Sequence, residues 1–306
     1  MRVLLAGATG AIGSQLIPQL HQNGHSIIGL TRTDRGAKAL HKDGVEAVQV
    51  DIMHRDGLLR ALDGLHADAV IHQATAIAGA PMFHRDLYAT DSLRDQGTAN
   101  LLEAAKLIGA DRIVAQSFFL GYGYSDHGNE PITEDRPFAE LTGSRGFDRH
   151  MRSMRACEDR VLRTDGIDGV ALRYGMFYGP DPLTRQMADL ARRRLLPAVR
   201  PSGVTSPIHI HDAAKAAVAA LERGRPGQAY NIADDEPVEF TAFLNALASS
   251  VGAGPVRTVP AWTLKVLPYL HAMMSATKIR LNCDKAKQEL GWHPRYSSIC
   301  EGLKEI

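Results

Sequence analysis

Seven residues near the start of the chain, Gly7-Ala8-Thr9-Gly10-Ala11-Ile12-Gly13, constrain its fold more than any other stretch. They follow the apolar run Val3-Leu4-Leu5-Ala6, which reads as a short buried strand. They lead into Ile12, Leu16, Ile17 and Leu20, which repeat with helical spacing. A strand, a tight glycine turn and a helix in that order let the backbone approach a pyrophosphate closely. The free N–H groups and positive dipole end of the helix then face the anion. The expected ligand is a dinucleotide, with Gly7, Thr9, Gly10, Ala11, Ile12 and Gly13 as its cradle.

The second strand is expected over His25 to Leu30 and runs into Thr31-Arg32, with Arg35 just beyond. An acidic residue at this place would hold the ribose 2′-hydroxyl of NAD, whereas arginine accommodates a 2′-phosphate, so Arg32 and Arg35 point to NADPH. The alternative is that Arg32 is a solvated loop residue and Asp34 supplies the acid one turn late. A third strand, Val45 to Val50, delivers Asp51-Ile52 as a flank for the adenine. A fourth, Ala69 to His72, opens into Gln73-Ala74-Thr75, whose two small residues let the backbone lie against the cofactor. Strands and helices alternating through the first hundred residues imply a parallel, right-handed doubly wound sheet.

The 306 residues allow one enlarged α/β unit with a smaller lobe. Thirty-five basic against thirty-four acidic residues leave a net charge of +1, which argues against a nucleic-acid footprint or an electrostatic membrane anchor. Cys157, Cys283 and Cys300 are odd in number and widely spread, so no disulfide framework is expected. The reading is a cytoplasmic, reducing compartment. A strand beginning at Arg2 leaves no room for a signal peptide, and no apolar run nears the ~20 residues of a membrane span.

Farther on the chain carries Ala99-Asn100-Leu101-Leu102-Glu103-Ala104-Ala105, a strand at Arg112 to Ala115, Ser117, Tyr122-Gly123, Glu158, Leu172-Arg173 and Tyr178-Gly179-Pro180. Ile208-His209-Ile210-His211-Asp212 and Leu290-Gly291-Trp292-His293-Pro294 follow. In this order the motifs resemble the extended short-chain dehydrogenase/reductase family over nearly the whole length. The resemblance implies a Rossmann-type doubly wound sheet binding NAD(P), with a smaller, discontinuous C-terminal substrate lobe. The cofactor domain is placed at 1–176, completed by 207–233, and the lobe at 177–206 and 234–306. Ser117 and Tyr174-Gly175-Met176-Phe177 complete the expected cofactor cleft.

The chain departs from the family at the reacting centre. The family places a serine or threonine four residues before its Tyr-Gly pair, and a tyrosine and lysine four apart on the next helix. Four-apart residues share a helix face, so the lysine can lower the tyrosine pKa while the tyrosine exchanges a proton with substrate. Counted from Tyr122 and Glu158, those positions hold Phe118, His150 and Met154, with Ser117 one residue early. The family's asparagine, three before a Gly-Thr pair, is Arg94. No tyrosine with a lysine four later occurs between Ser117 and Arg173. The remaining catalytic candidates are His150, whose ordinary pKa of about 6.5 suits acid–base work, Ser117 and Tyr124.

His209 and His211 alternate along a strand, and the family has that pattern without metal, so no metal is expected. Asp212 is expected to cap a helix over Ala213 to Glu222. Arg192-Arg193-Arg194 reads as a solvated helix end or, alternatively, a grip for phosphate. The segment from Trp262 through His271 to Met274 mixes aromatic, aliphatic and methionine side chains. With Met82, Phe118, Phe119, His150, Met154, Tyr178 and Met187 it forms the expected lining for a bulky aromatic ligand. The expected activity is an NADPH-dependent ketoreductase for a large aromatic ketone, similar to atypical polyketide ketoreductases, in which a substrate hydroxyl provides the proton. The alternative is a silent NADP-sensing protein of the same fold.

Overall fold

The computed structural model describes residues 1–77 and 79–305. Its centre is a seven-stranded sheet built from β1 (Arg2–Ala6), β2 (Ser26–Thr31), β3 (Glu46–Gln49), β4 (Ala69–His72), β5 (Arg112–Phe118), β6 (Asp168–Tyr174) and the strand Gln228–Ile232. The spatial order is Gln228–Ile232, β6, β5, β4, β1, β2, β3, and every neighbouring pair is parallel. Chain order reverses between β1 and β4. That is the switch point where a crevice opens at the carboxyl ends of the strands.

Both faces of the sheet are covered, which explains why β1 and β4 read as unbroken apolar runs rather than alternating ones. On one face α1 (Ala11–Gln22) packs through Leu16 and Leu20 beside the alanine-rich helix Ile210–Arg223. On the other, helices Thr98–Leu107 and Arg145–Arg163 bury Leu101, Ala105, Cys157 and Val161. A third core, around Tyr178, Phe243, Leu244 and Leu247, belongs to the irregular C-terminal region. Three two-stranded ladders tie that region together: Met176–Tyr178 with Pro207–His209, Val204–Thr205 with Val238–Glu239, and Pro197–Arg200 with Arg257–Pro260.

Several expectations are corrected. β5 continues to Phe118, which places Ser117 and Phe118 within the strand with side chains on opposite faces. Of the 207–233 segment, only Gln228–Ile232 joins the main sheet, since Pro207–His209 pairs outside it. Asp212 is not the helix cap. The helix begins at Ile210, and His209 caps it by accepting the His211 N–H, while Asp212 turns inward and accepts the Tyr296 N–H at 2.9 Å. All three cysteines are free thiols.

Candidate functional site

The glycine turn at the end of β1 is closed by backbone contact. Gly7 has φ +88°, and a Cβ there would fall 2.6 Å from the Gln73 carbonyl carbon; one on Gly13 would lie 2.3 Å from the Gly7 oxygen. These approaches exclude any side chain. Gly10 caps α1 without a side-chain bond to the first-turn N–H groups, which leaves them pointing outward for an anion. Gln73 at the end of β4 donates its N–H to Ala6 at 2.8 Å, so Gln73-Ala74-Thr75 leaves the sheet against the turn. The geometry and donors of this crevice fit a dinucleotide.

Around it, Thr31 is buried under Gly36, where a Cβ would meet Thr31 Oγ1 at 2.1 Å. Thr33 caps the helix Asp34–Lys42, and Asp34 pairs with Lys38 at 2.7 Å on its surface. Arg32 and Arg35 are exposed beyond β2. Asp51 accepts the Met53 N–H at 2.9 Å and Ile52 is buried. Tyr174 is buried, accepting from Gln73 Nε2 and donating to the Ala213 carbonyl. Gly175 follows against the Ser206 oxygen, and Met176 and Phe177 are partly buried next to it, with Phe177 stacked near Phe118.

Ser117 is occupied elsewhere. Its hydroxyl donates to Glu158 Oε1 at 2.5 Å, and Arg173 forks onto the same carboxylate from Nη2 at 2.8 Å and Nε at 3.0 Å. Tyr122 receives a bond from Arg173 and donates to Asn231 Oδ1. Those residues lock β5, β6 and the Arg145–Arg163 helix together, and Ser117, 1% exposed, is part of that lock. Phe118 alone stands at the serine position.

The other two family positions lie on the Arg145–Arg163 helix. Met154 is 1% exposed and packed in the core. His150 is fully buried, with Nδ1 2.7 Å from Asp91 Oδ2 and Nε2 3.1 Å from His84 Nδ1. His150 thus bridges the Asp91 carboxyl group through Nδ1 and the His84 ring through Nε2, which makes His84 Nε2 the outer end of a three-member chain. Ser153 holds the other Asp91 oxygen at 2.9 Å. Burial lowers the His84 pKa, assisted by the neighbouring His150 and opposed by Asp91. Burial also raises the hydroxyl pKa of Tyr124, and pushes that of Tyr269 up to about 12; their rings lie 5.9 Å apart beside His150.

The structure therefore brings together His150, Tyr124 and Phe118 with Arg94, from the family's asparagine position, Tyr269, from the segment read as ligand lining, and His84 and Asp91, which had no role in the sequence reading. Counting to the Gly97-Thr98 pair singled out Arg94 and composition placed Tyr269 in the lining segment, whereas no local pattern signalled His84 or Asp91. The expected substrate lining is corrected in part. Phe119, Met154 and Tyr178 are sealed in the core, Tyr178 donating to Asp234 at 2.7 Å. Trp262 is 68% exposed because the turn Ala261–Val266 buries Ala261 and Leu264 and rotates the indole outward. Met82 is exposed, while Met187 and His271 are half-buried. Among the described residues no cluster of three or more His, Cys, Asp or Glu is placed to hold a metal, and no helix is long and apolar enough to cross a membrane.

Comparisons with known proteins place the chain by family and fold. The chain is 35% identical over 309 residues to a 3-diazoavenalumate denitrifying reductase of a Streptomyces species, covering 99% of each. It is 24% identical to a 4-hydroxy-2-methyl-3-oxo-4-farnesyl-3,4-dihydroquinoline-1-oxide ketoreductase of Stigmatella aurantiaca, covering 96% of this chain and 92% of that one. Its fold superposes on the UDP-glucose 4-epimerase of Thermus thermophilus, solved as a complex with NAD, with TM-score 0.79 at 24% identity, covering 99% of this chain and 97% of the other. The NAD dependent epimerase/dehydratase family model matches residues 3–233. The chain belongs to that family, the extended short-chain dehydrogenase/reductases, and is an NAD(P)-dependent oxidoreductase.

Proposed function

We propose that the protein is an NADPH-dependent ketoreductase for a bulky aromatic ketone of polyketide type, such as an angucyclinone, and that the proton comes from a hydroxyl of the substrate itself. The observation that carries this reading is the replacement of the family's proton-transfer set by Phe118, a buried and doubly bonded His150, and a core Met154. No phenol–ammonium pair occupies those positions, so epimerase or dehydratase chemistry, which begins by deprotonating a sugar hydroxyl, lacks its base.

The residues present fit the cofactor: the Gly7–Gly13 turn and first-turn N–H groups take the pyrophosphate, and Arg32 with Arg35 the 2′-phosphate. When bound, the cofactor supplies the hydride. The chain's own part is positioning, since holding two reacting centres in near-attack geometry supplies a large share of the rate. Phe118 and Phe177 offer flat apolar surface near the ends of β5 and β6. A phenol or enol hydrogen-bonded to the ketone delivers the proton as the carbonyl becomes an alcohol.

The test is NADPH consumption with aromatic ketones that carry a hydroxyl next to the carbonyl and with their O-methyl ethers. Hydroxyl-bearing ketones should turn over and their ethers should bind without reacting. Equal turnover of both overturns the proton assignment. NADPH binding with no consumption by any ketone favours the NADP-sensing alternative.

A second reading is favoured by the 35% identity to a denitrifying reductase, whose named substrate bears a diazo group. Hydride added to the terminal nitrogen of an aryl diazonium forms an aryl diazene. That species loses N2 and leaves a C–H bond, with no proton required from the protein. Release of one N2 per NADPH from an aryl diazonium, with ketones inert, selects this reading.

A further inference from the structure

Arg94 is a buried cation beside the Phe118 end of β5. It is 7% exposed, yet among the described residues its guanidinium makes no hydrogen bond, and Nε is buried without a partner. Its one ion-pair contact is long, 3.9 Å from Nη1 to Asp91 Oδ1. That carboxylate is already engaged by His150 and Ser153, and Arg149 faces it at 3.6 Å. A buried guanidinium with unfilled donors is strongly disfavoured unless something it meets fills them.

Its surroundings place it in the crevice. The guanidinium carbon is 5.8 Å from the Phe118 ring centroid at the end of β5. His72 at the end of β4, and Tyr124 and Tyr269, all lie close enough for the Arg94 charge to depress their pKa values, although burial dominates each. The residue stands in a π-helical turn, Leu93–Gly97, a local irregularity that recurs at functional sites. It also occupies the position of the family's asparagine, so the cation is an addition in a site that has lost its lysine.

We infer that Arg94 receives an anionic oxygen of the substrate, a carboxylate or phenolate carried on the aromatic ring system, beside the place of hydride transfer. The planar fork of the guanidinium suits such an oxygen pair or a single charged oxygen, and the apolar Phe118 face beside it suits the ring. The identification of that oxygen as part of a reducible substrate rests on the reductase reading; the charge preference does not. Arg94 then acts as a specificity residue, selecting anionic aromatic substrates over neutral ones of the same shape.

The experiment compares binding of 2-naphthoate and 2-naphthamide to the NADP-saturated protein by calorimetry. The wild type is expected to favour the anion by about tenfold or more, the ratio corresponding to ~1.4 kcal/mol. Arg94→Met should erase the preference and Arg94→Lys, which keeps charge without the fork, should retain part of it. The lysine variant keeps the test valid where the methionine variant does not fold. Equal or no binding of the two probes to the wild type overturns the inference, as does an unchanged preference in Arg94→Met. A loss of NADPH affinity in Arg94→Met as large as its loss of naphthoate affinity also overturns it, by making the arginine a cofactor ligand. If the charge preference holds while no ketone or diazonium consumes NADPH, the reductase reading fails and the anion receptor stands.

Discussion

The glycine turn of residues 7–13 and the cluster around His150 are specified in different ways. In the turn, the backbone does the work: Gly7 and Gly13 are required because main-chain atoms occupy the space of any Cβ, and the ligand-facing donors are N–H groups. At His150 the work falls to side chains drawn from separate segments, and the family's set has been exchanged for a different one. A backbone-built site tolerates almost no substitution and announces itself by composition. A side-chain-built site is replaceable residue by residue, so its chemistry can drift while the fold persists.

The largest expected effect therefore comes from breaking the turn. Gly13→Ala puts a methyl group against the Gly7 and Ala8 oxygens, at 2.3 and 2.5 Å. NADPH affinity should fall about a hundredfold or more, as a displacement of the pyrophosphate cradle removes several charge-assisted bonds at once. Fluorescence titration reads this, and affinity within a few-fold of wild type would show that the turn is not the cradle.

Next is Arg32→Ala, which removes an exposed charge without touching the fold. Loss of charge-assisted bonds to a 2′-phosphate should weaken NADPH about tenfold while NADH is unaffected. Parallel titrations of the two cofactors decide it, because an equal change in both removes the basis for NADPH selectivity.

His150→Phe probes the other side of the comparison. Leaving the buried Asp91 carboxylate short of a donor should cost about 1–3 kcal/mol of stability, seen as a lower midpoint in denaturant. Reduction of a hydroxyl-bearing ketone should slow by less than about tenfold, against the hundredfold to ten-thousandfold typical of a lost general acid. Activity lost with cofactor and substrate still bound would identify the Asp91–His150–His84 chain as the proton source.

The smallest effect is a pH dependence. Burial pushes His72, at the end of β4, and His209, beneath Tyr296, down to about 4. Their ordinary value is about 6.5. Because the folded values are depressed, both groups stabilise the fold above pH ~6.5, and that contribution is lost as pH falls through ~4. His72→Asn retains an acceptor for the Ala74 N–H, placed by His72 Nδ1 at 3.3 Å, and removes one titration. Thermal melts between pH 7 and 4 should show a shallower decline than wild type, and an identical decline would sever His72 from the acid sensitivity.

Much of the architecture was legible from local signals. Apolar runs located the core strands, although β2 shifted by a residue, β3 is one residue shorter at each end, and β5 reached three residues farther, to Phe118, because ladder pairing with β6 carries it on. The absence of the family's serine, tyrosine and lysine was equally legible, since it required only counting. Trp262 was misread because composition cannot say which way a short turn faces. Asp212 was misread because a long-range bond to Tyr296 outcompeted local capping.

What the sequence alone determined is whatever depends on residues adjacent in the chain: the strand–turn–helix unit, the parallel alternation and the loss of the tyrosine–lysine pair. Tertiary structure decided what stands in place of that pair. His84 and His150 are 66 residues apart, and His150 and Asp91 are 59 apart. Their meeting depends on how the helix Arg145–Arg163 packs against the segment 84–97, and neither segment carries a local trace of the contact. Arg94 is a partial case: counting places it at the family's asparagine, but only packing shows that its charge is buried, because the removal of water from a guanidinium depends on segments distant in the chain.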